Sequence, residues 1–252
     1  MRRFLLAMVM LALMPTLAFC EETQVYSVAT EYWPPFRVGT RSGDIVGLDV
    51  DILDEAAKRM NVQFRWHQRP WGRCLYELEQ GIADIMTGVA WTEERAQYAL
   101  YTDTPYYTCS PRFYALKENT GIVKSYDDLK GLTIGFTRDS AYFPRFDKDT
   151  SLMKRAGNNE EHLIRMVENG RWNIFVGTDC QVERDLALYG LQDTISEVDF
   201  KPEHHTDLFL AVSMRSPLAK RMDELNATLR EMLDDGTIRK MASYYFDSQR
   251  DD

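Results

Sequence analysis

The chain has 252 residues, with 30 lysines and arginines against 39 aspartates and glutamates, so its formal net charge is −9 at pH 7. Hydrophobic residues make up 44% and charged residues 27%, which excludes disordered, collagenous and coiled-coil proteins. The acidic balance argues against nucleic acid as a partner, because phosphate binding needs clustered lysine and arginine. The length suits one large domain or two lobes of about 100 residues each.

The first twenty residues have the three-part plan of a secretory signal peptide. Two arginines precede an apolar stretch from Phe4 to Met14, and small residues follow. Ala18 and Cys20 suit the −3 and −1 positions for cleavage before Glu21, so we expect a signal peptide at residues 1–20 and export to the periplasm. An uncleaved anchor is disfavoured because the apolar run is short for a membrane span. Lipidation of Cys20 is disfavoured because the bulky Phe19 precedes it.

Strand-like and helical patterns alternate along the mature chain. Strands are predicted at residues 25–30, 62–66, 83–87, 112–116, 132–136, 172–176 and 208–213. Helices are predicted at residues 52–60, 73–80 and 160–169, along an apolar stripe at 218–232, and toward residue 246. Repeated β-α-β units imply α/β architecture with mainly parallel sheets, in which ligands bind beyond the carboxyl ends of the strands.

Thr92 to Arg95 form a candidate carboxylate site just after the strand predicted at 83–87. Thr92 is a good N-cap, whereas an arginine in a first helical turn faces the unfavourable end of the helix dipole. A guanidinium beside free backbone N–H groups can bind a carboxylate with bidentate geometry. The alternative is a surface arginine paired with Glu93 or Glu94, and the local sequence favours neither.

Several other residues are candidates by position alone. Trp33 and Trp71 stand next to prolines on predicted loops, where aromatic rings suit either a ligand pocket or the edge of a core. Thr178 and Asp179 follow a predicted strand at the end where a ligand would lie, although a loop aspartate is usually solvated. No catalytic triad, phosphate loop, general acid/base couple or metal-ligand spacing occurs, so the sequence predicts no cofactor, no metal and no catalytic residue.

Four segments in this order resemble the bacterial extracellular solute-binding proteins of family 3, which are periplasmic amino-acid receptors of ABC transporters. They are ATEYWPPF (29–36), GLDVDILDEAAKRM (47–60), RPWGRCLYELEQGIADIMTGVAWTEER (69–95) and YTDTPYY (101–107). The resemblance implies a periplasmic-binding-protein-like α/β fold with two lobes joined by a two-strand hinge. Lobe 1 would comprise residues 21–107 and 206–252, and lobe 2 residues 108–205. It also implies a monomer that captures an amino acid or related small carboxylate between its lobes and delivers it to a membrane permease.

The resemblance assigns ligand contacts residue by residue. Arg95 would grip the α-carboxylate with help from Thr92. Ser140 falls where a family serine or threonine begins a second-lobe helix and donates to the same carboxylate. Trp33 and Trp71 match the two positions that sandwich the ligand side chain.

The chain departs from the family pattern at several of these positions. Glu31 lies near a position that is often acidic, but Gly88 and Ala90 stand where the family often has hydroxyl or carbonyl contacts. The acid that binds the α-ammonium should fall at Thr178, and Asp179 is one residue further. A one-residue shift of the loop would restore the contact. Without it the ligand would be a different small carboxylate, because an unpaired buried ammonium is costly.

The resemblance also implies a position for each cysteine, and disulfides can form because an exported chain reaches an oxidising compartment. Cys109 would lie just past the first crossing strand and Cys180 just past a strand end of lobe 2. We therefore expect a Cys109–Cys180 disulfide, with Cys74 buried as a free thiol.

Two other functions share this fold. A ligand-sensing protein of a signalling system would have the same sequence features. A relative of cyclohexadienyl dehydratases would need a carboxylic acid in the cleft, for which Glu31 or Asp179 could serve. Neither residue is singled out by its spacing, so we expect a binding protein and not an enzyme.

Overall fold

The computed structural model of the chain describes residues 23–246; the predicted signal peptide at 1–20 lies outside them. The strands are β1 (Gln24–Thr30), β2 (Val38–Gly39), β3 (Ile45–Val46), β4 (Val62–Gln68), β5 (Ile85–Val89), β6 (Ala99–Tyr101), β7 (Tyr107–Cys109), β8 (Pro111–Leu116), β9 (Thr133–Thr137), β10 (Met153–Gly157), β11 (Ile174–Thr178), β12 (Ile195–Glu197) and β13 (Thr206–Ser213). The α-helices are α1 (Leu48–Met60), α2 (Trp71–Gln80), α3 (Pro144–Lys148), α4 (Glu160–Glu168), α5 (Val182–Leu188), α6 (Met222–Asp234) and α7 (Thr237–Phe246). None of the helices in this part of the chain is both long and apolar enough to cross a membrane.

The first sheet has the strand order β4-β1-β5-β13-β6, and β7 pairs with β13 beside this path. Strand β1 runs parallel to β4 and β5, whereas β13 is antiparallel to its neighbours. Helix α1 buries Ile52, Leu53 and Ala56 in the core of this lobe, as its apolar spacing predicts. It ends at Asn61, which adopts the left-handed conformation that closes many helices.

The second sheet has the order β10-β9-β11-β8-β12, with β9 parallel to β10 and β11 and with β8 antiparallel to β11 and β12. Its two faces are covered by separate apolar clusters, one around Phe113 and Phe146 and one around Leu163 and Phe175. The chain therefore forms two α/β lobes, each with its own hydrophobic core, which confirms the predicted α/β architecture. The expectation of mainly parallel sheets is wrong, because both sheets are mixed, with the parallel strands at one side.

Two neighbouring strands connect the sheets. Strand β7 leads directly into β8, and β13 returns to the first sheet; they pair antiparallel, with Cys109 opposite Thr206 and Tyr107 opposite Leu208. This is the two-strand hinge that the sequence predicts. Strands of the first sheet lie within residues 24–109 and 206–213 and those of the second within 111–197. The lobe boundaries at 107/108 and 205/206 stay a prediction.

The expected disulfide between Cys109 and Cys180 is present, with a Cα–Cα distance of 5.7 Å. It ties the hinge strand β7 to the loop that follows β11. Cys74 is a buried free thiol, as expected, and burial raises its pKa to about 12. The thiol is thus inert under ordinary conditions.

Candidate functional site

A cavity of about 80 Å³ lies between the two sheets, at the carboxyl ends of β1, β5, β9 and β11. This is the edge at which open α/β sheets bind ligands, and the volume is enough for several water molecules or one small solute. Most of the predicted ligand residues line it: Glu31, Trp33, Trp71, Gly88, Ala90, Arg95, Ser140 and Thr178. Polar lining residues that the sequence analysis did not find are Arg37, Thr137, Tyr142, Glu160 and Thr206.

Arg95 is buried at the wall of this cavity, with 6% of its surface exposed. Its Nη1 donates to the Ala90 carbonyl at 2.8 Å, and its Nη2 donates to the Asp139 carbonyl at 2.7 Å. It is not the exposed partner of Glu93 or Glu94 that the local sequence left open. Because a guanidinium has five N–H donors and two are used here, donors remain for a carboxylate in the cavity.

Thr92 acts on the backbone of the arginine and does not line the cavity. Its Oγ1 accepts a hydrogen bond from the Arg95 N–H at 3.2 Å. The segment forms only a short 3₁₀-helix, Arg95–Gln97, instead of the α-helix for which Thr92 would be the N-cap. Thr92 therefore fixes the start of this turn, and thereby the direction from which the guanidinium enters the site.

Asp139 is the point at which the two lobes touch. Its carbonyl accepts from Arg95 and also from Trp71 Nε1, at 3.2 Å, so two donors of the first lobe meet one acceptor of the second. Asp139 has a φ of 61°, a left-handed conformation that aspartate tolerates better than most residues. Its carboxylate lies against the N-terminal turn of α2. A Cβ added at Gly72 would lie 2.4 Å from Asp139 Oδ2, so only glycine permits this approach.

Ser140 lines the cavity from the turn that follows β9, where its N–H donates to the Thr137 carbonyl at 3.1 Å. The expectation that a helix begins at Ser140 is wrong. Helix α3 begins at Pro144, with Phe143 as N-cap. Proline is favoured in the first turn of a helix because its φ is already helical and its missing N–H would have no partner there.

Arg37 is buried at the wall of the cavity and forms an ion pair with Asp49. Its Nε donates to the Glu31 carbonyl at 3.0 Å, and its Nη1 donates to the Thr87 carbonyl at 3.2 Å. Gly88 has a φ of 68°, and a Cβ there would lie 2.6 Å from Arg37 Nη1. Glycine at this position thus leaves room for the Arg37 guanidinium, whose hydrogen bond to the Glu31 carbonyl fixes the backbone of Glu31.

Two carboxylates from opposite lobes line the same cavity. Glu31 follows β1, and Glu160 is the first residue of α4. Burial and then the neighbouring Glu160 raise the pKa of Glu31 to about 7, against a smaller lowering by Arg37 and by the Trp71 backbone N–H. Burial also raises the pKa of Glu160. The environment of the cavity therefore favours the neutral form of both carboxyls more than water does.

Two buried threonines of the second lobe, Thr137 and Thr178, line the cavity. Thr178 Oγ1 has no hydrogen-bond partner among the described residues. The Thr137 hydroxyl lies close enough to Glu160 to lower the pKa of that carboxyl, against the larger effect of burial. Leaving a buried polar group unsatisfied costs about 1–3 kcal/mol. Such groups at the wall of a polar cavity are suited to contact a bound solute or water.

Asp179 does not line the cavity. Its Oδ1 accepts from the Ser110 N–H at 2.8 Å, and its Oδ2 lies 3.9 Å from Arg112 Nη2. Thr178 is the last residue of β11 and is paired with Pro111, so the side chain that points to the cavity is the threonine. The one-residue loop shift that would bring Asp179 into the ligand position does not occur in this structure.

Comparison with known proteins agrees with this architecture. The family model described as bacterial extracellular solute-binding proteins, family 3, matches residues 26–248. The "Arginine-binding periplasmic protein" of Mannheimia haemolytica is 28% identical, over 83% of this chain and 85% of that protein. The "Histidine-binding periplasmic protein" of Escherichia coli (strain K12) is 26% identical, over 92% and 91%.

A solved structure shows the same fold. A mutant of ArgBP from T. maritima superposes with a TM-score of 0.76 at 20% sequence identity, covering 88% of this chain and 95% of that one. The family model spans nearly all of the residues that build the two sheets and the hinge. The sequence match and the fold therefore indicate the same family. The chain belongs to the bacterial extracellular solute-binding proteins, family 3.

Proposed function

We propose that this protein is a periplasmic receptor that captures an amino acid, or a related small carboxylate, between its lobes and delivers it to the permease of an ABC transporter. The observation that carries the proposal is the buried Arg95 guanidinium at the wall of the interlobe cavity. A buried arginine with donors left over suits a planar, bidentate anion such as a carboxylate. The curated relatives are named as binding proteins for arginine and histidine, which supports an amino-acid ligand and a non-catalytic role.

Closure of the two lobes provides the mechanism. A ligand that contacts Arg95 on one lobe and Ser140 or Thr178 on the other binds the closed form more tightly than the open form. It therefore shifts the population toward closure by the ratio of those two affinities. Periplasmic binding proteins as a class close around their ligands by hinge motion of this type. The closed form, as a monomer, is what the permease would recognise.

A ligand screen tests this proposal. We expect the mature protein, residues 21–252, to be stabilised by at least one L-amino acid and not by the matched amine that lacks the carboxylate. At 100 times Kd the midpoint of thermal unfolding should rise by about 5–10 °C, because binding to the folded state stabilises it by mass action. The panel includes each amino acid, its decarboxylated amine and its deaminated carboxylate. Stabilisation by the amines alone, or by no compound, would overturn the proposal.

The contact at Asp139 gives a second expectation. Trp71→Phe keeps a ring in the cavity wall but removes the Nε1 donor to the Asp139 carbonyl. Because that bond joins the lobes, its loss should disfavour closure and weaken ligand binding by about 2- to 10-fold, the range of one neutral hydrogen bond. Calorimetric titration measures the change. Trp91→Phe is the matched control, since Trp91 is exposed and is not among the residues that line the cavity. Equal effects of the two substitutions would contradict a role in closure.

A further inference from the structure

The two cavity carboxylates come from different lobes and have no ion-pair partner of their own in the described part of the chain. Glu31 stands after the last residue of β1, and Glu160 stands at the start of α4. They are close enough for Glu160 to raise the pKa of Glu31, and Arg37 lowers the pKa of both without forming a salt bridge to either. Closing the lobes thus brings two negative charges toward each other.

The positive charges at the cavity do not balance them. Arg37 is committed to Asp49 and to backbone carbonyls. Arg95 is the other cation that lines the cavity, and no lysine or histidine joins these two within residues 23–246. One available guanidinium therefore faces two carboxyl groups, and when both are ionised an excess of one negative charge is left for the ligand to neutralise.

The two buried threonine hydroxyls mark where a cationic group would lie. Thr137 and Thr178 are 3% and 9% exposed, and their Oγ1 atoms can accept hydrogen bonds. Thr137 lies beside Glu160, and both threonines stand on the second lobe. Two hydroxyl oxygens and one carboxylate oxygen match the three N–H donors of an ammonium group. Thr178 occupies the position at which an acid was expected, so Glu160 can supply the missing charge from α4.

We propose that Glu31 and Glu160 together form a two-carboxylate subsite that selects ligands with one carboxylate and two cationic groups. Glu160, with Thr137 and Thr178, receives the α-ammonium, and Glu31 receives the second cation. This inference rests on the proposed function, because it assumes that Arg95 takes the carboxylate. A ligand of net charge +1 then leaves the closed cavity neutral with both carboxylates ionised, whereas a neutral amino acid provides no cation for Glu31, which then keeps its proton.

Binding of such a ligand is coupled to proton release. The groups that face the Glu31 carboxylate are Glu160, Arg37, the Trp71 backbone N–H and the neutral thiol of Cys74. With a pKa of about 7, Glu31 is largely protonated at pH 6 and largely ionised at pH 8. A cationic ligand binds the ionised form, so its affinity should be about tenfold higher at pH 8 than at pH 6.

Matched ligand pairs test the subsite. In calorimetric titrations of residues 21–252 we expect L-arginine to bind about 10- to 100-fold more tightly than L-citrulline, and L-lysine likewise more tightly than L-norleucine, because the neutral partner lacks the charge-assisted hydrogen bond to Glu31. Titrations of L-arginine at pH 7 in buffers of different ionisation enthalpy should report proton release. Neutral and cationic partners that bind within threefold of each other would overturn the inference.

Charge-neutral variants assign the two carboxylates. Glu31→Gln should bring arginine and citrulline to similar affinities and abolish proton release. Glu160→Gln should weaken both amino acids by about 100-fold and should not weaken their deaminated analogues. Glu161→Gln is the control, because Glu161 is the exposed next residue of α4 and does not line the cavity.

The two proposals fail in different ways. If no amino acid of either charge class binds, the receptor function itself falls. If neutral amino acids bind as tightly as cationic ones, and that binding still depends on Arg95, the receptor function stands and the two-carboxylate subsite falls.

Discussion

We expect Arg95→Ala to weaken binding of the ligand by about 1000-fold, because it leaves the ligand carboxylate unpaired in a closed cavity at a cost of about 3–5 kcal/mol. The folded protein should lose little stability. The two carbonyls that Arg95 contacts keep other donors: Tyr101 Oη lies 3.4 Å from the Ala90 oxygen, and Trp71 Nε1 lies 3.2 Å from the Asp139 oxygen. Calorimetric titration and urea unfolding of the same samples measure both quantities.

Two further variants sharpen that experiment. Arg95→Lys keeps the charge but loses the fork of paired N–H donors, so we expect an intermediate loss of about 10- to 100-fold. Arg73→Ala is the matched control: it removes an exposed arginine of α2 that pairs with Glu77 and does not line the cavity. Affinity of Arg95→Ala within tenfold of the unchanged protein would show that the carboxylate binds elsewhere.

Asp49→Ala should destabilise the fold by about 3–5 kcal/mol, since it leaves the Arg37 guanidinium buried without its counter-charge. Arg37 and Asp49 are 2% and 0% exposed. Asp49 also accepts a hydrogen bond from Tyr106 Oη at 2.7 Å. The substitution therefore removes the acceptor of two buried donors, Arg37 Nη1 and Tyr106 Oη. Urea unfolding at pH 7 without added ligand measures the loss.

The same helix supplies the control for this prediction. Asp54→Ala changes an exposed aspartate of α1, for which the expected change in the free energy of unfolding is within about 0.5 kcal/mol. A loss of under about 1 kcal/mol for Asp49→Ala would mean that water or another acceptor reaches Arg37. Because Arg37 holds the Glu31 carbonyl, any protein that survives the substitution should also bind ligand more weakly.

The fold could be predicted from the sequence where burial is strong on both sides of an element. The central strands β1, β5, β9 and β11 are mostly buried, so their apolar runs are visible in the sequence. Strands β10 and β12 were not predicted. They lie at the two edges of the second sheet, where alternate or consecutive positions stay exposed and the hydrophobic pattern is weak.

The helix starts show a second limit. Helix α1 begins at Leu48, ahead of the start predicted at residue 52, because Gly47 with a φ of 134° turns the chain into it. Asp49 thus falls in the first turn and reaches Arg37 in the core. Apolar spacing cannot reveal such a start, because the signal is the backbone freedom of one glycine and a charge partner twelve positions away.

The candidate site was predictable in part for a similar reason. Arg95 could be found because it follows a buried strand and carries a local capping pattern. Glu31 and Glu160 lie far apart in the sequence, each looks like an ordinary solvated acid, and only the approach of the two lobes makes them neighbours. Thr178 lines the cavity and Asp179 does not because of the β-sheet register, which apolar spacing does not reveal. The register places Thr178 opposite Pro111, and Asp179 then accepts from the Ser110 N–H.

The Cys109–Cys180 bond determines where the molecule can pivot. Because Cys180 belongs to the loop after β11, the bond ties the end of β7 to the second lobe. We therefore expect a bend of the connecting pair to fall on the other side of Cys109, near Tyr107 and Leu208. Thr178 stands two residues before the crosslinked Cys180. In the proposed closing motion, Thr178 therefore moves together with the second lobe relative to Arg95, and its loop does not adjust to the ligand independently.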